Sequence, residues 1–238
     1  MSVSLLRGDG PLIRIGHRGA AALAPANTIA AVEAALALGV DMVELDVLGR
    51  PDRTLVLGHS HGEVEAQPAT LDEMFSFLAE KGPETGLLAD VKGGGFEREL
   101  VEALRRHDLV GRALATTNSL DTLQALRRLE PGLARSRTYP PSRVGRFGRR
   151  RPLVPVVGPV RLGLRALLPF QVETLLGEAE AAATTLDYRL VTRAVVERCH
   201  SLGVAVLVWT VNDRANLRRL DGLGVDGVIT DDPRIFRD

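Results

Sequence analysis

The sequence predicts an α/β protein in which eight strands, each followed by a helix, close into one parallel (β/α)8 barrel. Three observations carry that expectation. Short runs rich in Val, Ile and Leu alternate with longer helix-patterned stretches along the chain. Helix-start and helix-stop residues fall between those runs at regular intervals. The length of 238 residues is close to the roughly 250 that such barrels use as a single unit. A doubly wound open sheet is the other architecture with this alternation.

Taken in order, strands are expected at 12–16 (LIRIG), 41–47 (DMVELDV), 86–91 (GLLADV), 112–117 (RALATT), 133–138, 182–187, 204–210 (VAVLVWT) and 226–230 (DGVIT). TLVLGHSH reads as the return arm of a hairpin that folds back from the second strand through the turn GRPDR. Helices are expected near 27–38, 70–81, 96–107, 119–130, 161–180, 190–202 and 213–223. Thr70 with Glu73 forms a capping box, and Ser119 and Asn212 stand where N-caps are wanted. Gly39, Gly111, Gly132, Gly203 and Gly224 stand at helix ends, where a left-handed residue is cheap. No repeat or low-complexity tract interrupts the pattern, so residues 1–238 read as a single domain.

Composition narrows the function. Thirty basic and thirty acidic residues cancel, and nine aromatics (one Trp, two Tyr, six Phe) leave little for base stacking, which argues against a nucleic-acid partner. One cysteine, Cys199, permits neither an internal disulfide nor a cysteine-built zinc site. The first residues lack the apolar core of a signal peptide, and no run reaches the 18 or so apolar residues of a membrane span. The expectation is a cytoplasmic protein.

One stretch breaks the rhythm. From Arg137 to Arg165 there are eight arginines and no acidic residue, and the part from Pro140 to Pro159 is rich in Pro and Gly. It is expected to be an irregular excursion from the barrel, leading into the apolar and basic RLGLRALLPFQVETLL. Two readings stand: a solvated loop with an ordinary packing helix, or a surface for anionic lipid headgroups or a phosphorylated substrate.

The residues able to do chemistry sit at expected strand ends. Glu44 and Asp46 are two apart on one strand and therefore leave the same face, while Val43, Leu45 and Val47 line the other. Two adjacent carboxylates repel unless a cation or a proton lies between them, or unless nearby arginines take them up. Asp90 and Lys92 repeat the spacing on another strand and supply a third oxygen ligand and an ammonium. Lys81 and Lys92 are the only lysines against 28 arginines (30 − 2), so Lys92 reads as a compact charge aimed at an anion. Three carboxylates favour a hard ion, Mg²⁺ or Ca²⁺. His17 ends the first strand between Gly16 and Gly19, and His59 ends the hairpin arm. Two imidazoles beside a metal-held phosphate serve as acid and base. His107 and His200 read as packed helix residues, and His61 as either a site-supporting or a surface residue. Trp209 either lines a pocket mouth or fills the barrel. In a parallel barrel all these strand ends emerge at the C-terminal face, where active sites are built.

At these residues the sequence resembles the glycerophosphodiester phosphodiesterase family. The resemblance runs through GHRGAAALAPANT (16–28), GVDMVELDV (39–47), LVLGH (55–59), ATLDEM (69–74), DVK (90–92), VLVWTVND (206–213) and GVDGVITDDP (224–233). It implies a TIM barrel of the phospholipase-C-like phosphodiesterase type with a bound divalent cation, Mg²⁺ or Ca²⁺. It also implies hydrolysis of glycerophosphodiesters to glycerol 3-phosphate and an alcohol. By position it makes His17 and His59 the acid/base pair, Glu44, Asp46 and Asp90 the metal ligands, Arg18 and Lys92 phosphate contacts, and Trp209 a substrate contact.

The chain departs from the family's usual pattern in four places. PENT reads PANT at Ala26, ExK reads DVK at Asp90, HD reads HS at Ser60, and the segment usually inserted after the second histidine is missing. The shorter cap implies a more open mouth and brings in two further readings: a lysophospholipase D-like activity on membrane-derived lipids, and a barrel that only binds phosphate or lipid. Water and the neighbouring glycerol hydroxyl both remain open as the nucleophile.

Overall fold

The computed structural model describes residues 5–60, 70–140 and 154–237, with side chains in the last segment described from residue 162. Nine strands are present: β1 (Ile13–Gly16), β2 (Met42–Gly49), β3 (Leu55–Leu57), β4 (Gly86–Val91), β5 (Ala113–Thr117), β6 (Ala134–Tyr139), β7 (Ala183–Asp187), β8 (Ala205–Trp209) and β9 (Gly227–Thr230). All but β3 run parallel, and the pairing of β1 with both β2 and β9 closes them into an eight-stranded barrel. The open-sheet alternative is thereby excluded. β3 is the expected hairpin arm, antiparallel to β2 with Val47 opposite Leu57. Its turn is set by Arg53 in the left-handed region and by Asp52, whose carboxylate accepts from the Thr54 amide.

Helices α1 (Ile29–Ala37), α2 (Leu71–Lys81), α3 (Glu97–Arg106), α4 (Leu120–Leu129), α5 (Val154–Gly177), α6 (Arg193–Ser201) and α7 (Arg214–Asp221) fill the connections. Thr70 and Glu73 form the reciprocal capping box, and Ser119 caps α4. Asp213, not Asn212, caps α7, because Asn212 is committed to the end of β9. Gly39, Gly203 and Gly224 take the left-handed conformation as expected. Gly111 instead lies in a short 3-10 turn, Val110–Arg112, and Asp108 adopts the left-handed conformation after α3. Gly132 has no positive φ; the turn before β6 is closed by Glu130, which accepts from the Gly132 amide. After β9 the chain makes a 3-10 turn, Pro233–Phe236, in place of an eighth helix.

The basic excursion is narrower than expected. Arg137 belongs to β6, where its guanidinium donates to the Leu175 carbonyl at 2.7 Å. The helix begins at Val154, seven residues before 161. Pro155 stands in its first turn, where a missing N–H costs little. Arginines 143, 146, 149, 150 and 151, His61, and the stretch 61–69 where the family insertion would fall lie outside the described residues.

The strand period divides the core in two. Val43, Leu45 and Val47 point outward and are buried with Leu71, Met74, Phe75 and Leu78 of α2. Ile15, Met42, Leu88, Leu114, Ala183, Ala205, Leu207 and Ile229 fill the barrel interior. Above that apolar layer, towards the C-terminal ends of the strands, the inward residues turn polar.

Candidate active site

The GHRG turn creates the first wall of the site. Gly19 has φ +83°, and a Cβ there would lie 2.5 Å from the Ala31 backbone. A Cβ on Gly16 would lie 2.3 Å from the Gly19 carbonyl oxygen, so both positions require glycine. This tight turn puts Arg18 in the left-handed region and aims its backbone N–H at Glu44 Oε2, 2.8 Å away. His17, just beyond β1, is fixed by its amide donating to the Thr230 carbonyl.

Glu44 and Asp46 project from one face of β2, as the spacing requires, and both are buried. Asp90 is the register partner of Asp46 on β4, which sets the two carboxylates side by side. Oxygens of Glu44, Asp46 and Asp90 all lie within 4.8 Å of one another. Lys92 reaches back over them: its Nζ is 2.8 Å from Asp46 Oδ1 and is bonded to Asp90 Oδ2. Arg18 Nε lies 2.9 Å from Asp46 Oδ2.

The histidines flank this cluster from two directions. His17 Nε2 is 3.8 Å from Glu44 Oε2. His59 Nδ1 is 3.5 Å from Asp46 Oδ1 and 3.1 Å from the Arg18 Nη2 donor. All seven residues expected at the acidic site (His17, Arg18, Glu44, Asp46, His59, Asp90 and Lys92) are therefore brought together. Trp209 ends β8 beside Asp187 on β7 and packs on the barrel's inner layer. Its buried indole N–H makes no hydrogen bond among the described residues.

Three side chains and a ring of hydroxyls escape a reading of the residues alone. Asn27, buried in the left-handed region, donates to Asp46 Oδ2 at 3.1 Å and accepts from the Asp46 amide at 3.0 Å. Its position in APANT was the available signal, since Asn is the residue that tolerates that conformation while offering both a donor and an acceptor. Asp231 accepts from His17 Nδ1 at 2.5 Å, and Asn212 in turn donates to Asp231 Oδ2 at 2.6 Å. On the other side of the barrel Thr116, Thr138 and Thr185 close a ring of hydroxyls 2.8–2.9 Å apart.

The electrostatics follow from burial and neighbours. Burial pushes the Glu44 carboxyl up to about 7, with Asp46 and Asp90 adding to the shift and His17 and Lys92 opposing it. Burial also raises Asp90, against the pull of Lys92. Asp46 is equally buried, yet contacts from His59, Lys92 and Arg18 hold it far below the usual carboxylate range. Burial would lower His17, but the Glu44 charge and the Asp231 hydrogen bond outweigh it and raise the imidazole. Lys92 is likewise raised against its burial by Asp90, Asp46 and Glu44.

A hard divalent cation fits this donor set. Six-coordinate ions place opposing oxygens roughly 4–5 Å apart, which matches the separation of the three carboxylates. Burial first, and neighbouring carboxylates second, raise Glu44 and Asp90, and a bound cation would oppose both effects.

Comparisons with known proteins identify the family and the fold. The model of the glycerophosphoryl diester phosphodiesterase family matches residues 17–75 and 70–235. A glycerophosphodiester phosphodiesterase of Caldanaerobacter subterraneus is 26% identical over 253 residues, covering 92% of this chain and 93% of that one. The structure of an Oleispira antarctica phosphodiesterase in complex with the product sn-glycerol-3-phosphate superposes with a TM-score of 0.73 at 23% identity, covering 94% of each chain. A Thermotoga maritima glycerophosphodiester phosphodiesterase structure gives 0.66 at 19% identity, over 95% of this chain and 97% of that one. With nearly its whole length matched and the quoted motifs meeting at one barrel mouth, the chain belongs to the glycerophosphoryl diester phosphodiesterase family.

Proposed function

We propose that this barrel, taken as one domain, hydrolyses glycerophosphodiesters to glycerol 3-phosphate and an alcohol. The observation that carries the reading is the placement of His17 Nε2 and His59 Nδ1 on either side of three clustered carboxylates. The curated relative named above acts on this substrate class, and one fold neighbour was solved with the corresponding product.

Glu44, Asp46 and Asp90 would hold a divalent cation, Mg²⁺ or Ca²⁺, which when bound draws charge from the phosphoryl oxygens. The remaining work belongs to the chain's own side chains. Arg18 and Lys92 stand beside the carboxylates and can lend positive charge to a bound phosphate. The His17 Nδ1–H donates to Asp231, so Nε2 is left as the acceptor that takes a proton from the nucleophile. His59 turns Nδ1 towards Arg18 and Asp46, which assigns to its Nε2 the proton that passes to the departing alcohol. The indole N–H of Trp209, without a partner among the described residues, suits an oxygen of the substrate.

A substrate drawn from membrane lipid, with lysophospholipase D-like cleavage, is the second reading. It is favoured by the exposed side chains Leu162, Leu167 and Phe170 on α5, which follows β6 at the mouth. The purified protein is expected to release glycerol 3-phosphate from a glycerophosphodiester with Mg²⁺ or Ca²⁺, and to stop on chelation. Absence of turnover on both glycerophosphodiesters and lysolipids, with phosphate compounds still bound, would leave a binding barrel instead.

A further inference from the structure

We infer that the exposed face of α5 from Leu162 to Phe170 is a docking surface for an anionic lipid bilayer. The helix has 24 residues and is therefore about 36 Å long at 1.5 Å per residue. The neighbouring strand β6 has six residues and spans only about 20 Å. Among the described residues, α5 buries Leu168, Val172 and Leu176 against the barrel and packs Leu164 and Leu175 beside them. It follows β6, whose C-terminal end lies at the face carrying His17 and the carboxylates, so the helix starts from that side of the barrel.

What the opposite face exposes is apolar. Leu162 is 70% exposed, Leu167 54% and Phe170 83%, and no other described large hydrophobics exceed about 40%. Leu162, Ala166 and Phe170 recur every fourth residue and Leu167 lies beside them, so they form one stripe along the helix, flanked by exposed Arg165. A protein that stays in water has no reason to line up three large apolar side chains this way.

Charge selects the occupant. The sequence carries no acidic residue between Glu130 and Glu173, and nine arginines fall in that interval, at 135, 137, 143, 146, 149, 150, 151, 161 and 165. The whole chain is neutral, so the rest of it carries an excess of nine acidic residues. An apolar stripe in so basic a stretch of sequence is complementary to a negatively charged bilayer, where leucine and phenylalanine enter the acyl boundary and guanidinium groups meet phosphates. The surface is separate from the hydrolytic site, because none of its residues contacts the His17–Glu44–Asp46 cluster.

Flotation of the full chain with vesicles tests this. The protein is expected to float with phosphatidylglycerol–phosphatidylcholine vesicles at low salt, to be released as salt rises, and to remain behind with phosphatidylcholine alone. Changing Leu162, Leu167 and Phe170 together to Ser is expected to reduce binding by about 100-fold or more, while glycerol 3-phosphate release from a water-soluble diester stays unchanged. In Phe170→Trp, indole emission is expected to shift to the blue on addition of the anionic vesicles. No flotation at low salt would overturn the inference, as would equal binding to neutral vesicles or unchanged binding by the triple variant. A wild-type dimer that the triple variant abolishes, without lipid binding in either, would assign the stripe to a second copy of the chain instead.

Discussion

His17 and Asp231 are 214 positions apart in sequence, yet Nδ1 of the first lies 2.5 Å from Oδ1 of the second. They follow β1 and β9, the strands whose pairing closes the barrel, with Gly16 opposite Thr230. Barrel closure and orientation of the imidazole are thus one event. Asn212, after β8, fixes Asp231 from the other side. The last two strand ends therefore act on a histidine that belongs to the first.

Asp231→Asn is expected to keep the fold and lower kcat by about 10²–10⁴-fold, because the amide does not enforce the tautomer that leaves Nε2 free to accept. The carboxylate is one of the groups raising His17. Its loss lowers the pKa of the imidazole, so the acidic limb of kcat/KM moves to lower pH. An unchanged profile would remove Asp231 from the positioning of His17.

His17→Ala and His59→Ala are each expected to lose about 10²–10⁴-fold in kcat. Both side chains lie at the mouth and outside the apolar core, so thermal unfolding is expected to stay close to that of the parent. Near-normal turnover in either variant would strike that residue from the mechanism.

Glu44 makes the metal-free protein sensitive to pH. Its folded pKa of about 7 lies above the ordinary 4.5, so the folded state holds more protons than the unfolded one between those values. Stability then falls as pH rises from about 4.5 to about 7. His17, also raised, contributes stability that is lost as pH rises through its folded pKa. Melting curves in chelator are expected to show Tm declining across this range, and added Mg²⁺ or Ca²⁺ to restore most at the alkaline end. Glu44→Gln is expected to flatten the decline and weaken the response to cation.

Asn27→Ala removes both hydrogen bonds to Asp46 and places alanine at φ 61°. A loss of about 2–4 kcal/mol is expected. Asn27→Gly relieves the backbone cost, so its deficit in denaturation midpoint should be smaller, while its cation affinity should be as weak as that of the alanine variant.

Gly19 and Gly39 share a positive φ but differ in surroundings. A Cβ at Gly19 meets the Ala31 backbone at 2.5 Å, whereas at Gly39 nothing lies within 4 Å. Gly39→Ala is expected to cost about 1 kcal/mol, and Gly19→Ala about 3 kcal/mol or more. Equal midpoints in denaturant would refute the close approach at the GHRG turn.

The eight parallel strands and the facing of Glu44 and Asp46 were legible because both follow from a period of two and a run of β-branched residues, which are local properties. The Thr70–Glu73 box was legible for the same reason, as its partners are three residues apart. The N-cap of α7 was misplaced onto Asn212, since nothing local says that this side chain is already taken by Thr230 and Asp231. The start of α5 at Val154 was missed because proline is read as a breaker, although it is tolerated in a first turn.

The sequence by itself determined which side chains would leave which face of each strand, and therefore which acids and imidazoles would meet at one barrel end. Only the tertiary structure decided how they partner there: Lys92 over Asp46 and Asp90, Asn27 beneath Asp46, Asp231 behind His17. Those pairings join residues from different strands and loops, and their distances are fixed by the stagger of a closed sheet, which no residue's near neighbours encode.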